Sequence, residues 1–317
     1  MLNLLHYDWN TPLVSGGDKL LVQSARPLAL NALDSSLTSE ERDDLLRLQF
    51  RDVIIRDAIA SGNMSISNGR CRLVTGRPLE SFKGLVMEAA LCRMCYDDPF
   101  GVGRRIFAWC TGRTIGRVPD VMISQHVPFI TADKRLCRTP LTARFYDPSS
   151  AYDLHFYKIN AQGNAELAHE TGPRSGIVAG VQVKAIQGNE RTEIIDKLLS
   201  GRYTRVLTML RHKNGEHSFE ACRRLLTDMQ RNREIDGDQL ADVLDRLTHP
   251  DAVGISQSEV DSYSKSLDLA YAGFEPWEDD PNVVESIGLE VVARLKREPS
   301  GILMPDQPDL IIPNTVH

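Results

Sequence analysis

Asp153 stands near the front of an apolar run, residues 151–159 (AYDLHFYKI), and Gln182-Val183-Lys184 lies inside a second, residues 176–186 (GIVAGVQVKAI). Both runs read as neighbouring strands of one sheet. Side chains alternate along a strand, so Gln182 and Lys184 share one face while Val181, Val183 and Ala185 share the other. An ammonium rising from an otherwise apolar strand calls for an anion beside it, because an unpaired buried charge is strongly unfavourable. Asp153 is the nearest candidate. The residues leave two readings open: a structural Asp153–Lys184 ion pair, or a site that places a carboxylate, an amide and a lysine around a phosphate or a metal-bound hydroxide.

Three further segments must position these residues. A helix carrying Glu88 (residues 81–91, SFKGLVMEAAL) precedes the two strands, a helical segment (residues 190–199) follows them, and a short apolar strand (residues 204–210) comes next. The order helix–strands–helix–strand, with an acid on one strand and Gln-x-Lys on the next, resembles the PD-(D/E)xK nuclease superfamily. The likeness spans residues 76–212 and is to a variant with Gln in place of the second acid. No Pro precedes Asp153, and the literal Pro119-Asp120 lies much further ahead of Gln182 than Asp153 does.

The resemblance implies a restriction-endonuclease-like α/β (α+β) fold, a mixed sheet flanked by helices, with helical N- and C-terminal extensions. It divides the chain into an N-terminal helical extension (1–75), a nuclease-like core (76–215) and an acidic helical C-terminal region (216–317). It implies a Mg²⁺-dependent endonuclease, with Mn²⁺ able to substitute, acting on nucleic acid, DNA before RNA, in a setting such as restriction or anti-phage defence. Asp153, Gln182, Lys184 and Glu88 would be catalytic. Asp153, the Gln182 amide oxygen and the Val183 carbonyl would hold the metal, and Glu88 would act through a water. The competing expectation is a non-catalytic nucleic-acid-binding or assembly protein of the same fold, in which Lys184 is dispensable. No G-x-G-x-x-G, G-x-x-x-x-G-K-S/T or G-x-S-x-G is present, so the signatures of other nucleotide and hydrolase folds are missing.

Charge is unevenly distributed over the 317 residues, whose net charge is −6. Residues 70–144 hold thirteen Lys or Arg against six Asp or Glu, whereas residues 234–317 hold five against eighteen. A basic middle suits a phosphate backbone, with Arg104, Arg105, Arg113 and Arg117 as the contacts expected there. The acidic C-terminal region is expected to shield that surface, or to form a homodimer or partner contact. No leader pattern or membrane-length apolar stretch is read in the sequence, and the expectation is a cytoplasmic protein without membrane contact. Six cysteines, including Cys92-x-x-Cys95, read as reduced thiols, and His212 and His217 are no recognised metal pair.

The remaining elements follow from local signals. An amphipathic helix should begin near Thr38-Ser39-Glu40-Glu41, and Asn68-Gly69 should turn a hairpin. Residues 104–109 and 141–146 read as strands and residues 111–117 as an exposed loop. Residues 160–175 read as a polar connection. Ser218 should cap a helix, and further helices are expected over residues 235–247, 256–271 and 282–296, with an extended tail after them.

Overall fold

The structure, a computed structural model, describes residues 53–54, 57–58, 60–67, 70–73 and 77–279. The amphipathic helix expected from Thr38 and the helix expected at 282–296 fall outside these, apart from residues 53–54, which are helical. Two compact units divide the chain: one of residues 1–79 and 262–317, the other of residues 80–261. The second therefore extends well past the expected boundary at 215.

The first unit contains the antiparallel hairpin β1 (Met64–Ser67) and β2 (Arg70–Leu73). Ser67 pairs with Arg70, and the turn expected at Asn68-Gly69 lies outside the described residues. Ile54 and Ala58 are buried in this unit, where Tyr263 donates its hydroxyl to the buried Asp57 carboxylate at 2.7 Å.

The second unit is mixed α/β, with a six-stranded sheet flanked by helices. In chain order its elements are α1 (Leu79–Asp97, its first residue falling in the other unit), α2 (Arg104–Cys110), α3 (Asp120–Ser124), β3 (Val127–Ile130), α4 (Pro140–Ala143), β4 (Leu154–Ile159) and β5 (Ala165–Leu167). There follow β6 (Gly180–Lys184), α5 (Asp196–Leu199), β7 (Val206–Thr208), α6 (Ser218–Arg231), α7 (Gly237–Asp245), β8 (Leu247–Thr248) and α8 (Gln257–Asp279), which continues into the other unit. The strand order is β3-β4-β6-β7-β8, with β5 paired to β4. The first two pairings of that path are antiparallel and the last two parallel. The strand expected at 204–210 is β7, and the helical segment after β6 opens as a π-turn, Arg191–Ile195, that runs into α5.

Register fixes what each face carries. Leu154 lies opposite Val181, and His155 opposite Gly180, so Leu154, Phe156 and Lys158 point one way with Val181 and Val183. His155 and Tyr157 point the other way with Gly180, Gln182 and Lys184. On this second face, Val206 and Leu247 join a core with Ile194, Ile195 and Leu198, and with Cys222, Leu226 and Met229 of α6. On the first face, Phe107 of α2 meets Phe156 edge-on at 5.2 Å.

Neither of the two segments 104–109 and 141–146 expected as strands is one. Residues 104–109 belong to α2, with Ile106, Phe107, Ala108 and Cys110 buried, and residues 141–146 open with the end of α4. The carboxylate of Asp98 accepts from Gly101 N and Val102 N and caps a π-turn, Pro99–Gly103, which leads directly into α2. An acid followed by Pro is a helix-start signal, and Thr139-Pro140 repeats the Pro-at-N1 form of it ahead of α4. The connection 160–175 contains β5, a hairpin partner of β4, and α6 is capped by the His217 ring, which accepts from Phe219 N at 3.0 Å, not by Ser218. Ser218 instead donates to the Ile186 carbonyl at 2.8 Å.

Part of the acidic excess is consumed inside this unit. Arg174 joins Glu170, Asp242 and Asp245, Arg191 pairs with Glu234, and Arg211 pairs with Asp261. No helix of the described residues is long and apolar enough to cross a membrane.

Candidate functional site

Asp153 occupies the last position before β4, where its backbone is held from both sides. Its N–H donates to Val181 O at 2.9 Å on β6, and its carbonyl accepts from Thr131 N at 2.9 Å, just past β3. Beyond this point β4 and β6 no longer pair through their backbones, and the Asp153 side chain takes over. Its Oδ2 accepts from Val183 N and from Gln182 Nε2, both at 2.6 Å. Oδ1 has no hydrogen-bond partner among the described residues.

Burial dominates the electrostatics of this carboxylate. Loss of solvent pushes its pKa up to about 7, against the opposing pull of the Val183 N–H, the Lys184 charge and the Gln182 amide. Lys184 approaches from the same face of β6, but its ion pair is with Glu193, 3.6 Å away in the π-turn after β6. Its ammonium also lies 5.0 Å from the centre of the Tyr203 ring. The direct Asp153–Lys184 salt bridge, the structural alternative read from the sequence, is not formed. Lys184 is instead a shared cation, acting on Asp153 through the field and touching Glu193.

A small residue makes the arrangement possible. A methyl group on Gly180 would stand 2.5 Å from His155 Nδ1 and 2.8 Å from Tyr152 Cδ1. Those two rings lie across β6 at Gly180, where His155 Nδ1 donates to Ala179 O at 2.8 Å and Tyr152 shares a 2.6 Å hydrogen bond with Thr204. Gly180→Ala is expected to lower unfolding free energy by about 1–3 kcal/mol through overpacking. Chemical denaturation tests this, and an unchanged midpoint would mean that the rings yield without cost.

Val183 belongs to this cluster through its N–H, whereas none of the cluster's hydrogen bonds or ion pairs is made to the other residues expected at the site. Glu88 is half-buried on α1, and none of the hydrogen bonds or ion pairs of Asp153, Gln182 and Lys184 is made to it. What the structure records of Val183 is its N–H, given to Asp153. Arg104 is ion-paired to Asp120 at the start of α3, so the literal Pro-Asp motif belongs to this pairing and not to Asp153. Arg105 lies against Gly254, Arg117 ends an exposed single turn (Ile115–Arg117), and Arg113 is half-buried. The helix bearing Arg104 and Arg105 packs through Phe107 on the sheet face opposite Asp153, so these arginines do not flank the carboxylate.

Glu193 and Tyr203 are the contacts that sequence reasoning missed. Glu193 had one signal, an acid in the first turn of the segment that follows Lys184. Tyr203 had none, because only the return of the chain from α5 into β7 brings it to Lys184. Among the described residues no group of three or more His, Cys, Asp or Glu is arranged to hold a metal ion. Comparison with known proteins found no matching family model, no matching curated protein and no matching solved structure.

Proposed function

We propose that the chain is a metal-dependent phosphodiester hydrolase acting on nucleic acid, DNA before RNA, with Asp153, Gln182 and Lys184 at its centre. The observation that carries this reading is their convergence where β4 and β6 part, at the carboxyl end of the parallel pair β6–β7. Crevices beyond the carboxyl ends of strands are where open α/β sheets bind ligands.

The donor set suits a hard cation that takes much of its coordination from water and substrate, as Mg²⁺ does, and does not suit a closed protein cage. Asp153 Oδ1, the Gln182 amide oxygen and the Val183 carbonyl would hold it, and Mn²⁺ would substitute. A bound Mg²⁺ would supply positive charge to polarise the phosphoryl group. Asp153, held by two hydrogen bonds on Oδ2, presents its other oxygen in a fixed direction. Lys184 offers its charge to the phosphoryl oxygens as negative charge develops, and Glu193 keeps the ammonium on that side of the sheet. Glu88 remains a proposed outer participant through water.

The test is incubation of the purified protein with linear, circular and single-stranded DNA and with RNA, in Mg²⁺, Mn²⁺ or EDTA. Metal-dependent cleavage of at least one substrate is expected. No cleavage of any of them with either metal sinks the hydrolase reading and favours a non-catalytic nucleic-acid-binding or assembly role.

Gln182→Glu probes the metal directly. The variant sets two carboxylates at the 2.6 Å contact that Gln182 now makes as a donor, so it should melt lower than the parent in EDTA. Mg²⁺ should recover the loss and bind more tightly than in the parent, because the added charge is a cation ligand. Thermal melts with and without Mg²⁺ read this out, and a deficit that Mg²⁺ leaves untouched removes position 182 from the metal site.

A further inference from the structure

A second concave site lies on the opposite side of the sheet, among α2, α3, β4 and β5, wholly within residues 107–171. The cleft holds about 520 Å³, within the range of small-molecule sites. Its apolar wall includes Phe107, Met122 and Leu167. Arg113 and Lys158 also line it, and neither forms an ion pair with a described residue. Both act electrostatically on His126, which lines the same cleft with its ring tilted against Phe107 at 4.6 Å between centroids.

The acids of the cleft are differently placed. Glu166, opposite Lys158 across the β4–β5 pair, turns to Asn160 Nδ2 at 2.6 Å and leaves the lysine without a salt bridge. Glu170 is almost fully buried; its Oε2 is held by Arg174 at 3.1 Å and Arg205 at 3.0 Å. Its Oε1 is buried with no hydrogen-bond partner. Such an acceptor lacks what nearly every buried polar atom has, which points to a donor supplied from outside the chain.

We propose that this cleft binds a nucleoside monophosphate. Its base would lie along the apolar wall, with its N–H groups toward the unpaired Glu170 oxygen and its phosphate between Arg113 and Lys158. The proposal does not rest on the hydrolase reading, because none of its residues belongs to the Asp153 cluster.

Isothermal titration of the full-length protein with AMP, GMP, CMP and UMP tests it, beside the parent nucleosides and inorganic phosphate. At least one monophosphate should bind one per chain, at least tenfold tighter than its nucleoside or phosphate alone. Arg113→Ala and Lys158→Ala should each weaken binding at least tenfold. Val121→Asp, at a position 69% exposed on the same rim, should weaken it without touching the core, and Lys213→Ala should not change it. The proposal is overturned if no monophosphate binds at millimolar concentration, if phosphate alone binds as tightly, or if the three cleft variants bind like the parent.

Discussion

Asp153→Asn is expected to lower cleavage at least about a thousandfold while the protein stays folded. The substitution keeps the shape of the side chain and an acceptor for Val183 N–H, yet removes the carboxylate in contact with Gln182. Lys184→Ala should cost about a hundredfold to a thousandfold in kcat, the scale of losing one charge-stabilising group. The parent should gain activity as pH rises through about 7, where the buried carboxyl ionises, with bound Mg²⁺ drawing that rise to lower pH.

Stability should run the other way. The folded-state pKa of Asp153 is raised, from 3.8 to about 7, so the folded chain holds this proton more tightly than the unfolded chain does. Its contribution is fully present below about pH 4 and is lost as pH climbs to about 7. Asp153→Asn should flatten that part of the stability profile measured in EDTA. Equal cleavage by parent and variant would sink the catalytic assignment, whereas matching stability profiles would sink only the raised pKa.

Arg205→Ala is expected to destabilise the fold by about 3–5 kcal/mol, the usual consequence of removing one partner from a buried ion pair. The Arg205 and Glu170 side chains are 3% and 1% exposed and meet at 3.0 Å. Arg205 also lies over the Trp109 ring at 5.3 Å and donates to Asp245 O at 3.3 Å, so one guanidinium ties β7's entry to α2 and α7. Without it, Glu170 keeps the more exposed Arg174. Pairing Arg205→Met with Glu170→Leu should recover much of the loss, because replacing both members leaves no buried charge unpaired. Urea denaturation of the two variants decides it; a single-variant loss below about 1 kcal/mol would show that water reaches the pair.

Local pattern determined a good deal by itself. Alternation at Gln182-Val183-Lys184 set two polar side chains on one face, and the Asn-Gly signal in the sequence foretold the β1–β2 hairpin, because both depend on only a few bonds of backbone geometry. The helical stretch after β6 and the strand β7 were legible for the same reason. Residues 104–110 were not, since a helix buried on several sides loses its 3.6-residue polar rhythm, and only the Asp98-Pro99 start signal remained to oppose a strand reading.

Pairing across long separations was decided by the tertiary structure alone. β8, two residues long, gains its identity only by lying beside β7, and β5 only by folding back on β4. At the candidate site, the sequence supplied Asp153, Gln182 and Lys184, but the chain's return through the π-turn and into β7 gave Lys184 its contacts with Glu193 and Tyr203. The basic cluster shows the limit most clearly. Arg104 and Arg105 are close in sequence to the nuclease-like segment, yet α2 carries them to the other face of the sheet. Charge counting along a chain cannot see that separation, because the face a helix covers is chosen by which of its apolar residues meets the sheet.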